Sequence, residues 1–148
     1  MRAVLQRVSR ASVVVDGEVV GAVDPGGDGG GGQGLCVLVG VARDDGPEQV
    51  AAMVRKVAGL RVLDGGRSVV EAGAPVLVVS QFTLQGDTRK GRRPSWSAAA
   101  PGDVAAPLVD AVVAGLRAEG LEVATGRFGA HMAVELVNDG PVTLVVDV

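Results

Sequence analysis

The sequence predicts a single α+β domain, with antiparallel strands at its start and two main amphipathic helices packed against the sheet. Three observations predict this. Residues Met1 to Val8 and Ala11 to Val15 alternate apolar and polar side chains at period two, as half-buried strands do. Two later segments instead place Val, Leu and Met at helical spacing. The composition is 47% hydrophobic but only 2% aromatic, with no Tyr, so the core is built mainly from Val, Leu and Ala, which suits a β-rich fold. A chain of 148 residues has the size of one domain. At that length one core buries roughly 68–70% of the unfolded chain's surface.

Asp16-Gly17 is a two-residue hairpin signal that joins the opening strands to Glu18 to Val23. Residues 24–34, DPGGDGGGGQG, are a low-complexity glycine segment, read as a mobile hairpin loop because glycine backbone is entropically expensive to fix. A phosphate-binding loop would need a following GK[ST] and a helix, and the segment leads instead into the strand-like Leu35 to Val41. Asp45-Gly46-Pro47-Glu48 places a proline at a helix start, and Val50, Met53, Val54 and Val57 line one face up to Gly59. A second helix begins near Asp103, buries Val104, Leu108, Val109, Val112, Val113 and Leu116, and stops at Gly120. The remaining strand candidates are Leu60 to Leu63, Pro75 to Ser80, Leu121 to Ala124, Met132 to Asn138 and Val142 to Val148. No internal repeat suggests a second domain, so residues 1–148 are read as one.

The bulk properties exclude some classes. Apolar runs such as Val76 to Val79 and Leu144 to Val146 fall far short of the roughly 20 residues that span a bilayer. Polar residues interrupt the N-terminus before any signal-peptide core forms, and Cys36 is the only cysteine, so a cytoplasmic protein without disulfides is expected. A net charge of −3 argues against coating long nucleic acid, yet Asp87-Thr88-Arg89-Lys90-Gly91-Arg92-Arg93 holds four cations against one anion and can meet one end of an RNA.

Familiar catalytic sets are scarce. One His and one Cys make a metal centre improbable, and none is expected. A triad from Ser80 or Ser95 with His131 is not selected by any spacing. Three segments stand out instead: Ser80-Gln81-Phe82-Thr83-Leu84 after an apolar strand, Arg92-Arg93-Pro94-Ser95-Trp96 after the basic run, and Asn138-Asp139-Gly140-Pro141-Val142-Thr143 near the C-terminus. Together with Leu5-Gln6-Arg7-Val8 and Thr125-Gly126-Arg127-Phe128, in this order and spacing, they resemble the D-aminoacyl-tRNA deacylase family, the bacterial type, over essentially the whole chain. Two departures are the glycine insertion and Trp96, which stands where that family usually has Phe.

The resemblance implies a barrel-like core of antiparallel sheets and a homodimer. It implies an editing hydrolase that cleaves the ester of D-aminoacyl-tRNA, and of glycyl-tRNA mischarged on tRNA(Ala), while rejecting the L-form, with no cofactor. Ser80, Gln81, Phe82 and Thr83 would line the catalytic site, with a Gly140-Pro141 pair, its bond cis, entering from the partner subunit. On dipeptide chemistry alone that bond is an ordinary trans one. Phe82, Phe128 and Met132 read as core residues from their apolar neighbourhoods, with a pocket role open for Phe128 or Met132; Arg7 pairs with a surface carboxylate or, as the resemblance implies, supports the Gly-Pro loop. Arg89, Lys90, Arg92 and Arg93 would meet the phosphates of the tRNA acceptor end. Catalysis by positioning, with the tRNA hydroxyl in place of a protein base, is favoured over attack by Thr83. Two other readings stand beside this one: a non-catalytic nucleic-acid-binding accessory protein using the basic loop, and a structural oligomer.

Overall fold

The computed structural model describes residues 1–27 and 32–148. Six strands form one mixed sheet: β1 (Arg2–Val15), β2 (Glu18–Val23), β3 (Gly34–Gly40), β4 (Val76–Ser80), β5 (Val123–Thr125) and β6 (Ala133–Asp147). The helices are α1 (Pro47–Gly59), the one-turn α2 (Val69–Ala72) and α3 (Gly102–Ala118).

β1 organises the sheet. One edge pairs antiparallel with β6 over nearly its whole length. The other edge is shared by β3, against residues 2–8, and β2, against residues 11–15, both antiparallel to β1. β2 and β3 therefore lie end to end and run the same way. The glycine-rich segment therefore connects two collinear strands rather than a hairpin pair, and its central residues 28–31, on which the reading of a mobile loop falls, lie outside the described residues.

The expected antiparallel pairing thus holds for all three partners of β1. β3, β4 and β5 run parallel, because a helical crossover returns the chain each time: α1 and α2 between β3 and β4, α3 between β4 and β5. The sheet curls until β2 meets β5. An added Cβ at Gly21 would lie 2.1 Å from the Thr125 carbonyl oxygen, so glycine is what lets these two backbones approach and the barrel nearly close.

Curling creates two apolar cores. Leu35, Val37, Val39, Val76 and Val78 face the helices, where Met53, Val57, Val112 and Leu116 cover them. Cys36, Leu77 and Val79 face the barrel interior with Val8, Val13 and Val15. Strands buried on both faces read as continuous Val/Leu runs, as β3 and β4 do. Burial pushes the Cys36 thiol up to about 11, which leaves it protonated and unreactive.

Several boundaries differ from the sequence reading. Met1 to Val8 and Ala11 to Val15 are one strand whose buried positions change phase, from Ala3 and Leu5 to Val8 and back to Ala11 and Val13, at register shifts on either side of Val8. Met132 to Asn138 and Val142 to Val148 likewise fuse into β6. Leu60 to Leu63 is not a strand. Leu60 caps α1, and Gly65 and Gly66, at φ +74° and +65°, turn the chain back on itself, so only Leu63 bridges to Arg67. The missed helix α2 had a sequence signal, the Ser68-to-Glu71 capping box, in which Ser68 Oγ accepts from the Glu71 amide and Glu71 accepts from the Ser68 amide.

Because the Gly21 contact is with fixed backbone, Gly21→Ala must push β2 from β5. We expect a loss of roughly 1–3 kcal/mol in urea unfolding. Wild-type stability in that variant would show that the barrel seam is looser than drawn.

Candidate active site

The parallel strands set the site. β3 and β4 end side by side, and at their carboxyl ends the chain turns away, the position where sheets of this kind commonly hold ligands. After Ser80 it enters a 3₁₀ turn, Phe82–Gln85, packed tightly on the end of β3. The Gln81 amide donates to the Val39 carbonyl (2.7 Å) and Gln85 Nε2 to the Gly40 carbonyl (2.8 Å). A Cβ at Gly40 would stand 2.7 Å from the Gln81 carbonyl oxygen, so no other residue allows this approach.

Beside the turn lies a cavity of about 370 Å³. Ser80, Gln81 and Phe82 line one side, the 128–132 loop another, and Gly102, Ala105 and Val109 of α3 a third, over a floor that includes Val39 and Val79. Gly126 makes room for this wall: a Cβ there would meet Met132 Sδ at 2.6 Å. The amides of Phe82 and Thr83, the first two of the 3₁₀ turn, donate to no group among the described residues, and no side chain caps the turn. Two backbone donors are therefore free at this end of β4.

The structure brings together five of the nine residues expected in the site: Ser80, Gln81, Phe82, Phe128 and Met132. Phe128 and Met132, left open as core or pocket, both line the cavity, and Phe128 is exposed. Thr83 lies outside the lining, and its hydroxyl accepts from Gln81 Nε2. His131, set aside in the sequence reading, also lines the cavity, but the side-chain hydrogen bond formed in this turn joins Gln81 to Thr83 rather than Ser80 to His131. Among the described residues no group of three His, Cys, Asp or Glu side chains converges.

Arg7, Gly140 and Pro141 form a second cluster away from this cavity. Between Asn138, opposite Val8, and Thr143, opposite Gln6, β6 makes an excursion of four residues. Asn138 ties its neck, donating to the Arg7 carbonyl (2.9 Å) and the Val142 carbonyl (3.0 Å). Arg7 lies beneath it with its side chain 12% exposed. Its Nε donates to the Asp139 carbonyl (3.0 Å), and its Nη1 to the Val62 carbonyl (3.0 Å) and Asp64 (3.1 Å). The Gly140-Pro141 bond is trans, not the cis bond the resemblance implied. Gly140 makes the turn at φ +89°, a conformation that only glycine adopts cheaply, so the chain reverses here without a cis peptide. A Cβ at Gly140 would come within 2.0 Å of Arg7 Nη2.

Gln33 was missed by the sequence reading. Its amide donates to Asp139 (2.6 Å) and accepts from the Asp64 backbone (2.8 Å), so the end of the glycine-rich segment fastens the Gly-Pro bulge. A lone amide after a run of glycines was the only signal.

The four basic residues sit in an exposed loop closed by Asp87 and Ser95, whose backbones exchange two hydrogen bonds (2.8 and 2.9 Å). They are not equivalent. Arg89 is paired with Asp87 through two side-chain bonds (2.9 and 2.6 Å), and these, with the Arg89 amide, lower the Asp87 carboxyl to about 2. Lys90, Arg92 and Arg93 form no salt bridge among the described residues.

The site is thus an apolar-walled pocket at the carboxyl ends of two parallel strands, with two backbone amides beside it that are unbonded among the described residues. The chain belongs to the D-Tyr-tRNA(Tyr) deacylase family, whose model matches residues 4–147. It is 67% identical over 147 residues to the D-aminoacyl-tRNA deacylase of Kineococcus radiotolerans, covering 99% of both chains. It is 62% identical to that of Streptomyces coelicolor over the full length of both. Among solved structures it resembles the c-Myc DNA Unwinding Element Binding Protein, at TM-score 0.87 and 38% identity, over 100% of this chain and 99% of that one. It shares its fold with a probable eukaryotic D-amino acid tRNA deacylase at TM-score 0.78, 20% identity and 99% and 98% coverage.

Arg7 uses the directional fork of its guanidinium, which a lysine cannot reproduce. Arg7→Lys is expected to lose roughly 1–3 kcal/mol in urea unfolding, as the half-buried Val62 and Asp139 carbonyls lose their donors. Amide exchange at Gly140 and Thr143 should rise in the same variant, and unchanged protection at both would mean that Asn138 alone holds the bulge.

Proposed function

We propose that this chain is a cytoplasmic editing hydrolase that cleaves the ester of D-aminoacyl-tRNA, and of glycyl-tRNA mischarged on tRNA(Ala), to free amino acid and tRNA. The observation that carries the reading is the position of Ser80, Gln81 and Phe82, the segment that matches the family, on the wall of the cavity beside two free amides. Those amides suit a developing oxyanion, and one such donor is worth roughly 3–4 kcal/mol in related chemistry. The ester lies next to a ribose hydroxyl of the substrate, which can orient or activate water. A protein base is then unnecessary, in keeping with the sparse catalytic side chains here. Among the described residues no helix is long and apolar enough to cross a membrane, and the buried free thiol of Cys36 suits a reducing compartment.

D- and L-aminoacyl groups carry the same atoms, so rejection of the L-form depends on rigid protein around the α-carbon. Gly140-Pro141 supplies such a wall in this reading, entering from the partner of a homodimer. Glycine, with no side chain to reject, is a substrate for the same reason. Arg92 and Arg93, with Lys90, would hold acceptor-end phosphates, an interaction that salt weakens.

Release of labelled amino acid from matched D-, glycyl- and L-aminoacyl-tRNA tests this. We expect hydrolysis of the first two and not the third, undiminished by chelator, abolished in a Gly140/Pro141 double variant and near normal in Thr83→Ala. Glycyl-tRNA left intact while the D-form is cleaved would sink the rejection model. A covalent aminoacyl-Thr83 would replace positioning with nucleophilic attack.

A second reading is favoured by one relative: a protein named for DNA-unwinding-element binding is 38% identical to this chain. A nucleic-acid-binding accessory role without chemistry would show as salt-dependent DNA binding by a dimer that releases no amino acid from any of the three substrates.

A further inference from the structure

The cavity and the basic loop meet at one side chain. Trp96 directly follows the Asp87–Ser95 closure and packs against Phe82 in a T-shaped contact, with ring centroids 5.5 Å apart and planes at 72°. Its six-membered ring rests on the backbone at Gly86, where a Cβ would stand 2.6 Å from Trp96 Cζ3. The indole is therefore held by an aromatic neighbour and by a glycine that has made way for it. Even so, 43% of Trp96 and 55% of Phe82 remain exposed, and Phe82 itself lines the cavity.

Large aromatic surface fixed in place and left open to water suits a partner with flat apolar faces. Three cations without salt bridges among the described residues, Lys90, Arg92 and Arg93, stand in the loop that Trp96 adjoins, which adds negative charge to the requirements. Flat faces joined by phosphates describe a single-stranded nucleic acid, and stacking aromatics beside basic residues are how proteins hold one. We infer that Trp96 is a stacking platform for a base of the unpaired acceptor strand, the one next to the terminal adenosine, with Arg92 and Arg93 on the phosphates that follow.

This rests on the editing reading for the identity of the strand, and it adds a site outside the cavity. The terminal nucleoside and its ester would occupy the cavity behind Phe82, and the strand would leave across Phe82 and Trp96 toward the loop. A pocket that recognised only the terminal nucleoside would not need the indole. Trp96 is a binding and positioning residue here, since it stands outside the lining of the cavity.

The chain contains one Trp and no Tyr, so intrinsic fluorescence reports Trp96 alone. The wild-type protein is titrated with the trinucleotide CCA and, separately, with AMP. Quenching by CCA at concentrations where AMP leaves the emission unchanged is the expected result. No quenching by CCA, or equal quenching by AMP, would overturn the assignment. In kinetics, the ratio of kcat/KM for D-aminoacyl-tRNA to that for D-aminoacyl-adenosine should fall roughly five- to fifty-fold in Trp96→Ala, the size expected for one stacked base. Trp96→Phe, which keeps a ring against Phe82, should fall less. An unchanged ratio in both variants, with native circular dichroism, would also reject the platform. Should neither ester be cleaved, the editing reading fails while the fluorescence titration still decides whether Trp96 stacks a base.

Discussion

The constraint on which the rest of the structure depends is that β1 must satisfy two sets of partners at once. β6 runs along one edge, while β3 and β2 divide the other, and the buried face of β1 changes phase where they hand over. A strand of period two cannot change phase without an irregularity. The irregularity lies around Arg7 and is met on β6 by the four-residue excursion with Gly140-Pro141. A proline that would disrupt a regular ladder is at home in that excursion, where no hydrogen bond is asked of it. The guanidinium below gathers carbonyls from β6 and from the Val62 turn, and Gln33 adds the end of the glycine-rich segment. A single packing problem in β1 thus creates a loop fastened by Arg7, Gln33 and Asn138.

The same economy governs the cavity. It forms where two parallel strands end, and its walls are shaped as much by glycines as by side chains: Gly40 admits the 3₁₀ turn, and Gly126 admits Met132. Beside the side chains of Ser80, Gln81 and His131 stand the Phe82 and Thr83 amides, held in a 3₁₀ turn that is bonded to the end of β3. Fixed dipoles need no reorganisation during a reaction, which is why a site poor in titratable side chains can still be an effective one.

Much of this was legible in the sequence, for reasons that differ by element. α1 and α3 could be read because their faces follow helical spacing and their ends carry Pro47 and Gly120. β1 and β6 could be recognised as strands but not as continuous ones, since a bulge and a break give the same interruption of period two. The parallel pairing of β3, β4 and β5 was hidden because strand direction depends on crossovers, not on composition. Within the site, Ser80, Gln81 and Phe82 carried a motif. Gln33 and the phase change at Arg7 depend on contacts more than a hundred residues apart in the chain, from Gln33 to Asp139 and from Arg7 to Asp139, and no local pattern announces them.

The separation of the two clusters has its own consequence. Val134, in the cavity wall, is paired with Val13, whereas the Gly140 bulge lies over Arg7. Six residues of extended strand separate them, roughly 20 Å. From Val39, the lining residue opposite Ala3, the bulge over Arg7 is four residues away, roughly 13 Å, and neither Gly140 nor Pro141 lines the cavity of its own chain. β6 also ends the sheet, pairing with β1 alone among the described strands, and shows Val137, Leu144 and Val145 to solvent on either side of the bulge. A long apolar edge strand is a surface that proteins cover by association. If the bulge is the wall that rejects L-aminoacyl groups, a second copy seated on this edge must bring it, and chiral selection then becomes a property of the dimer that neither subunit has alone.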